Sequence, residues 1–92
     1  MSYIKLCQIM VEEDAICKYL ETANGDVVVN EIVTYPCIVK CEVIDWISEN
    51  DYINRKEINN FYSEEVILNN SVPNIRSYIH EILLEKYPTL EI

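Results

Sequence analysis

Two segments rich in β-branched residues, separated by a proline, constrain the fold of this chain most. Residues 26 to 35 read DVVVNEIVTY and follow the turn-forming pair Asn24-Gly25. After Pro36, the alternation of apolar and mixed residues from Cys37 to Ile44 predicts a second strand that is covered on one side. Because the join is too short for a crossover helix, we expect antiparallel pairing with a reversal at Pro36; a single kinked edge strand is the alternative.

The second strand has two chemically different faces. Its apolar face consists of Cys37, Val39, Cys41 and Val43, and its mixed face of Ile38, Lys40, Glu42 and Ile44. This pattern indicates that the apolar face packs on the core and the mixed face lies toward solvent.

Apolar spacing before this strand predicts a helix from Val11 to Ala23, ending at Gly25. Residues 3–10 fit either a strand or an extension of that helix. Residues 45–49 are predicted to form a short helix. Asn54 and Glu57 resemble a capping pair that begins another helix.

The last segment has the clearest helical pattern. It opens at Ser71 and Pro73, and Ile75, Ile79 and Ile82 follow one face before Pro88 closes it. We therefore expect one acidic α+β domain over residues 1–92. It would contain a small antiparallel sheet packed with two or three helices, including a long C-terminal helix.

Charge is the strongest functional signal. The chain has 16 Asp and Glu against 7 Lys and Arg, a net charge of −9. Residues 26–54 contain six acids and one base, a net −5. Such a surface repels nucleic acid and anionic lipid and attracts basic protein surfaces.

The spacing of these acids suggests an anionic row. If residues 42–50 are helical, Glu42, Asp45 and Glu49 share one face; in a strand, Glu42 lies opposite to the other two. The predicted partner-binding residues are Glu12, Glu13, Asp14, Asp26, Glu31, Glu42, Asp45, Glu49 and Asp51.

No motif assigns catalytic, cofactor-binding or metal-binding residues, so we expect a non-enzymatic protein without cofactors. Cys7, Cys17, Cys37 and Cys41 lack paired zinc spacing, which favours reduced, buried side chains. His80, the only histidine, is predicted to be a solvated helix residue. The sequence has no membrane-spanning run or signal peptide, which indicates the cytoplasm.

Three segments, EVIDWISEND at 42–51, VEED at 11–14 and PNIRSYIHEILLEKYP at 73–88, give the chain a family resemblance. With its length and acidity, it resembles the Arn family of anti-restriction DNA mimics of T-even phages. The resemblance implies a rigid α+β domain in the host bacterial cytoplasm. Its carboxylates would replace phosphates and occupy the DNA-binding surface of a restriction nuclease such as McrBC. Several DNA mimics are dimers, so a homodimer is expected.

Two other classes of function stay open. An immunity or anti-CRISPR type inhibitor would plug an enzyme cleft through a few anchors, such as Trp46 and a neighbouring tyrosine, without mimicking DNA. A small thiol redox protein would use Cys37 and Cys41.

Overall fold

The computed structural model describes residues 2–13, 16–21, 27–30 and 34–92, with side chains for residues 2–11 and 34–92. Along the chain the elements are β1 (Tyr3–Glu13), β2 (Ile16–Glu21), β3 (Val27–Asn30), β4 (Cys37–Trp46), α1 (Glu49–Asn54), β5 (Ile58–Leu68) and α2 (Ile75–Leu83). Strands therefore predominate over helices in the described chain.

The strands form one five-stranded antiparallel sheet in the order β3-β2-β1-β4-β5. The first three strands follow one another as antiparallel neighbours, and β4 then lies beside β1 on its other side. This arrangement of the first four strands is a Greek key. β1 is the central strand, and β5 is an edge strand of 11 residues.

The expected α+β fold with a long C-terminal helix is wrong. The segment predicted as a helix from Val11 to Ala23 contains the end of β1 and all of β2, and residues 14–15 and 22–26 lie outside the described residues. The segment predicted as a helix after Asn54 is β5. The C-terminal helix α2 has only nine residues, because the turn after Leu83 ends it well before Pro88.

Sheet pairing explains these corrections. Val11 lies opposite Val39 in the β1–β4 ladder, and both side chains are fully buried. β5 pairs with β4 along its whole length, from Ile58 beside Trp46 to Leu68 beside Cys37. Apolar residues at helical spacing in these segments thus gain more from burial in a continuous ladder than from an isolated helix.

The strand predictions were closer. β4 matches the strand predicted from Cys37 to Ile44 and continues to Trp46, and the ambiguous residues 3–10 belong to β1. β3 occupies part of the strand predicted over residues 26–35. Its expected pairing with β4 is wrong, because β3 pairs with β2 at the far side of the sheet. The Tyr35–Pro36 peptide bond is cis.

One face of the sheet is covered. α2 and the segment after it pack against the apolar sides of the central strands. The largest fully buried side chains are Leu6, Ile9, Val11, Val39, Cys41, Val43, Leu68 and Ile79. The apolar face predicted for β4 is therefore the core face, as its alternating burial confirms. No helix in the described residues is long and apolar enough to cross a membrane.

Arg76 of α2 joins this covering layer to the central strand. The register between β1 and β4 shifts between Leu6 and Ile9. The buried Arg76 guanidinium donates to the main-chain oxygen of Leu6 at 2.6 Å and to that of Cys7. Burying an arginine is costly unless its donors are satisfied, and here they satisfy carbonyl groups at the irregular part of the strand.

The segment after α2 also forms backbone hydrogen bonds with β1. Leu6 N donates to the Glu91 oxygen at 2.8 Å, and Glu91 N donates to the Ile4 oxygen at 2.7 Å. A ring nitrogen of the half-buried His80 lies 2.7 Å from the Leu90 oxygen. His80, predicted to be a solvated residue, thus contacts the segment that pairs with β1.

We expect Arg76→Ala to lower the free energy of unfolding by about 3 kcal/mol, because two buried carbonyl groups lose a charged donor. Urea unfolding followed by circular dichroism measures the change. Lys56→Ala, at an exposed position, is the control and should change stability by less than about 0.5 kcal/mol. Equal stability of the two variants would show that the Arg76 contacts do not hold α2 to β1.

Candidate protein-interaction face

The face of the sheet opposite α2 carries exposed apolar side chains from β4 and β5. We call it the open face; it comprises Ile38, Lys40, Glu42 and Ile44 of β4 and Phe61, Ser63, Glu65 and Ile67 of β5, which lie opposite one another in the ladder. Ile38 is 48%, Phe61 52% and Ile67 62% exposed. Large exposed apolar side chains on one face are typical of protein contact surfaces.

The open face has three charged residues, and the strand register determines which residue each one faces. Lys40 lies directly opposite Glu65, and Glu42 lies opposite Ser63. Opposite charges at facing positions stabilise a pair of strands. Ile38 faces Ile67 at one end and Ile44 faces Phe61 toward the other, so the charged residues lie between two apolar pairs.

Helix α1 covers only one end of this face. The Tyr52 ring stacks on Tyr3 with centroids 5.3 Å apart and meets Trp46 edge-on at 5.9 Å. Arg55, in the left-handed conformation at φ 54°, ends the helix and places its guanidinium 4.7 Å from the Tyr52 centroid. Trp46 is only 6% exposed. It is therefore a packing residue and not the accessible anchor expected for a plug.

The predicted row of carboxylates does not form. Residues 42–46 belong to β4, so Glu42 lies on the open face and Asp45 on the opposite side by strand alternation. Glu49 is exposed in the first turn of α1. The alternative in which residues 42–46 form a strand is therefore correct, and it separates Glu42 from Asp45 and Glu49.

Asp51 has a structural role at the start of α1. The Ser48 hydroxyl donates to Asp51 Oδ2 at 2.7 Å, and Asp51 N donates to Ser48 Oγ at 3.2 Å. Ser48 is thus the N-cap of α1, and its side chain satisfies a backbone N–H that has no partner within the helix. The half-buried Asp45 has one buried carboxylate oxygen, Oδ1, without a hydrogen bond to the described residues.

The remaining five predicted site residues fall outside the residues whose side chains the structure describes. The backbones of Glu12 and Glu13 lie at the end of β1, and their side chains lie outside the described set. Asp14, Asp26 and Glu31 lie outside the described residues. Phe61 and Ile67, which sequence reasoning missed, share the even-odd alternation of β5, a signal that its assignment to a helix concealed.

One ion pair lies on the core side of β5. Glu64 accepts hydrogen bonds from the Tyr87 hydroxyl and from Lys86 Nζ at 2.9 Å. The Tyr87 hydrogen bond, with help from Lys86, lowers the pKa of the Glu64 carboxyl. Glu64 thus stays ionised at neutral pH as part of the contact between β5 and the segment after α2.

The cysteines of the described chain do not form a redox pair. Cys7, Cys37 and Cys41 are free and buried, and burial raises the pKa of the Cys41 thiol to about 12. Cys37 and Cys41 are four residues apart on β4, about 13 Å along a strand, whereas a disulfide needs Cα atoms within about 7 Å. This geometry opposes the thiol redox alternative. The described residues contain no group of three or more potential metal ligands.

Comparison with protein-family models, with curated proteins and with solved structures finds no match to this chain. The resemblance to the Arn family therefore stays a prediction, and the functional argument rests on the open face and the distribution of charge.

The contrast between Trp46 and Phe61 is testable. We expect Trp46→Ala to cost about 3 to 5 kcal/mol of folding stability, because it empties a buried aromatic position. Phe61→Ala should cost less than about 1 kcal/mol, because half of its ring is already in water. Urea unfolding followed by circular dichroism compares the two variants. Similar losses would mean that the Phe61 ring is as deeply packed as Trp46.

Proposed function

We propose that this chain is a non-catalytic inhibitor that binds a basic, DNA-handling protein through the open face of its sheet. The observation that carries the proposal is the open face itself, where exposed Ile38, Phe61 and Ile67 surround a small charged centre. Large apolar and aromatic side chains are the anchors that supply most of the binding energy of a protein contact, and charged groups beside them add specificity.

The excess of acidic over basic residues supports a basic partner. Several bases contact the protein itself: Arg76 binds β1, Lys86 binds Glu64, Lys5 binds the Ile92 oxygen and Arg55 lies over Tyr52. Exposed acids include Glu49, Glu57, Glu65, Glu81, Glu85 and Glu91. After all seven bases are counted the net charge is still −9, and such a field speeds encounter with a cationic surface.

Mimicry of DNA is the second candidate, and the surplus of exposed carboxylates favours it. A mimic requires anions spaced along one surface, as in a duplex backbone. Specific contact through the open face ranks first because Glu42 and Asp45 lie on opposite sides of β4, and Glu49 lies in α1. In both cases the family resemblance suggests a restriction nuclease such as McrBC, acting in a bacterial cytoplasm, as the first partner to test.

Two sets of variants distinguish the candidates in a binding assay with purified McrBC, or with DNA-handling proteins captured from bacterial lysate. For specific contact we expect Phe61→Ala combined with Ile67→Ala to weaken binding more than tenfold, since each removed anchor contributes about 1 kcal/mol or more. Ile53→Ala is the matched control, because Ile53 is 65% exposed but lies on α1.

DNA mimicry predicts the opposite result. Neutralising exposed acids outside the open face, Glu49, Glu57 and Glu85, would then weaken binding more than tenfold, and affinity would fall steeply with salt, as expected for contacts with phosphate-binding residues. Unchanged affinity of the Phe61 and Ile67 double variant would rule out the open face as the contact surface. Retained ellipticity confirms that each variant is folded.

The expected homodimer stays a prediction, and β5 suggests its geometry. β5 lies at the edge of the sheet, and its outer side has no backbone partner among the described strands. An unpaired edge of this length readily pairs with another chain. We expect light scattering to give twice the monomer mass. A monomer mass at all protein concentrations would contradict pairing through β5.

A further inference from the structure

A small depression lies within the open face. It has a volume of about 230 Å³ and is lined by Gln8 and Met10 of β1, Lys40 and Glu42 of β4, and Phe61 and Ser63 of β5. Sites for drug-sized ligands usually measure about 300 to 1,000 Å³. The depression is therefore of a size to receive one side chain of a partner rather than a metabolite.

Glu42 is the distinctive group of this depression. Its neighbour on β5 is the neutral Ser63. On its other side is β1, where the register shifts between Leu6 and Ile9, around Cys7 and Gln8. Lys40, the nearest base on the same strand, lies opposite Glu65. Within the described chain, no ion pair involves Glu42. Lys40 also lines the depression, but with Glu42 and Glu65 the open face carries two acids and one base, and this net charge of −1 favours a cation from outside.

The groups around Glu42 match the chemistry of a guanidinium. Phe61 lies diagonally across the ladder from Glu42 and offers an exposed aromatic face, and Met10 adds apolar surface. Gln8 and Ser63 add neutral oxygen acceptors. A guanidinium is planar, stacks on aromatic rings, pairs with a carboxylate through two parallel hydrogen bonds and has further donors to satisfy.

We infer that this depression receives an arginine side chain of the basic partner. The inference rests on the proposed function and deepens it by naming the group that the open face recognises. A lysine fits less well, because its compact ammonium is strongly hydrated and lacks the flat surface that Phe61 would contact.

The arginine does not come from a second copy of this chain. The chain has two arginines, Arg55 and Arg76. Arg76 is buried against the carbonyl groups of β1, and Arg55 lies over the rings of Tyr52 and Trp46. Delivering either to another molecule would break a contact that supports the fold. A partner protein with an exposed arginine is the occupant that the charges favour.

The test is a titration of the isotope-labelled protein with N-acetyl-arginine amide, followed by two-dimensional NMR of the backbone amides. We expect saturable shifts at Gln8, Met10, Glu42, Phe61 and Ser63. With N-acetyl-lysine amide, binding should be about threefold or more weaker, because the ammonium forms neither the paired hydrogen bonds nor the stack.

Two variants and one control make the titration specific. Glu42→Gln removes the charge while keeping the size of the side chain, and Phe61→Leu removes the aromatic face; each should abolish saturation. Glu57→Gln, which neutralises an exposed acid outside the depression, should leave it unchanged. Equal binding by Glu42→Gln, or shifts spread evenly over the acidic residues, would overturn the inference.

The titration needs no partner, so its failure is distinguishable from failure of the proposed function. If the arginine probe does not bind while the Phe61 and Ile67 double variant loses the partner, the arginine site is wrong and the open face stands. If the probe binds as expected while the same double variant retains full partner affinity, the open face is wrong as the contact with that partner.

Discussion

An antiparallel sheet needs cover on at least one face, and the described part of this chain supplies one full covering layer. α2 and the segment after it bury the side of the sheet that contains Val39, Val43 and Leu68. Arg76 holds that layer in place by donating to Leu6 and Cys7, where the ladder between β1 and β4 changes register. On the other side, the six-residue α1 reaches only the end of the sheet near Trp46. The exposed apolar side chains of the open face follow from this imbalance.

The basic residues also contribute to the fold. Arg76 binds β1, Lys86 pairs with Glu64 and Arg55 lies over the Tyr52 ring, so these bases stabilise the fold. Attraction to a basic partner arises from the excess of acids, 16 against 7 bases. It also gives the electrostatics a long-range role in encounter, whereas the apolar pairs of the open face act only at contact.

How much the sequence predicts depends on the local signal. The one-sided burial of β4 was predicted correctly, because two faces of opposite polarity alternate from Cys37 to Ile44 with no helical interpretation. β5 was assigned to a helix, because Phe61 and Tyr62 happen to follow Ile58 at helical spacing. Only the long-range ladder with β4 decides between the two periods. β3 was expected to pair with β4, but the Greek key places β4 beside β1, and the assignment of residues 11–23 to a helix concealed β2, the strand that precedes β3 in the chain.

The row of three carboxylates is absent for the same physical reason. A row of Glu42, Asp45 and Glu49 requires helical periodicity, and strand periodicity sends Glu42 to the open face alone. One local signal was available, because Ser48 followed by Asp51 three residues later is a capping pattern that places the start of α1 and assigns Asp51 to the fold. Separation from the other acids changes what Glu42 can do. A carboxylate among many anions contributes to a diffuse field, whereas one beside Phe61, Gln8 and Ser63 has the directional neighbours that recognise a single cationic group.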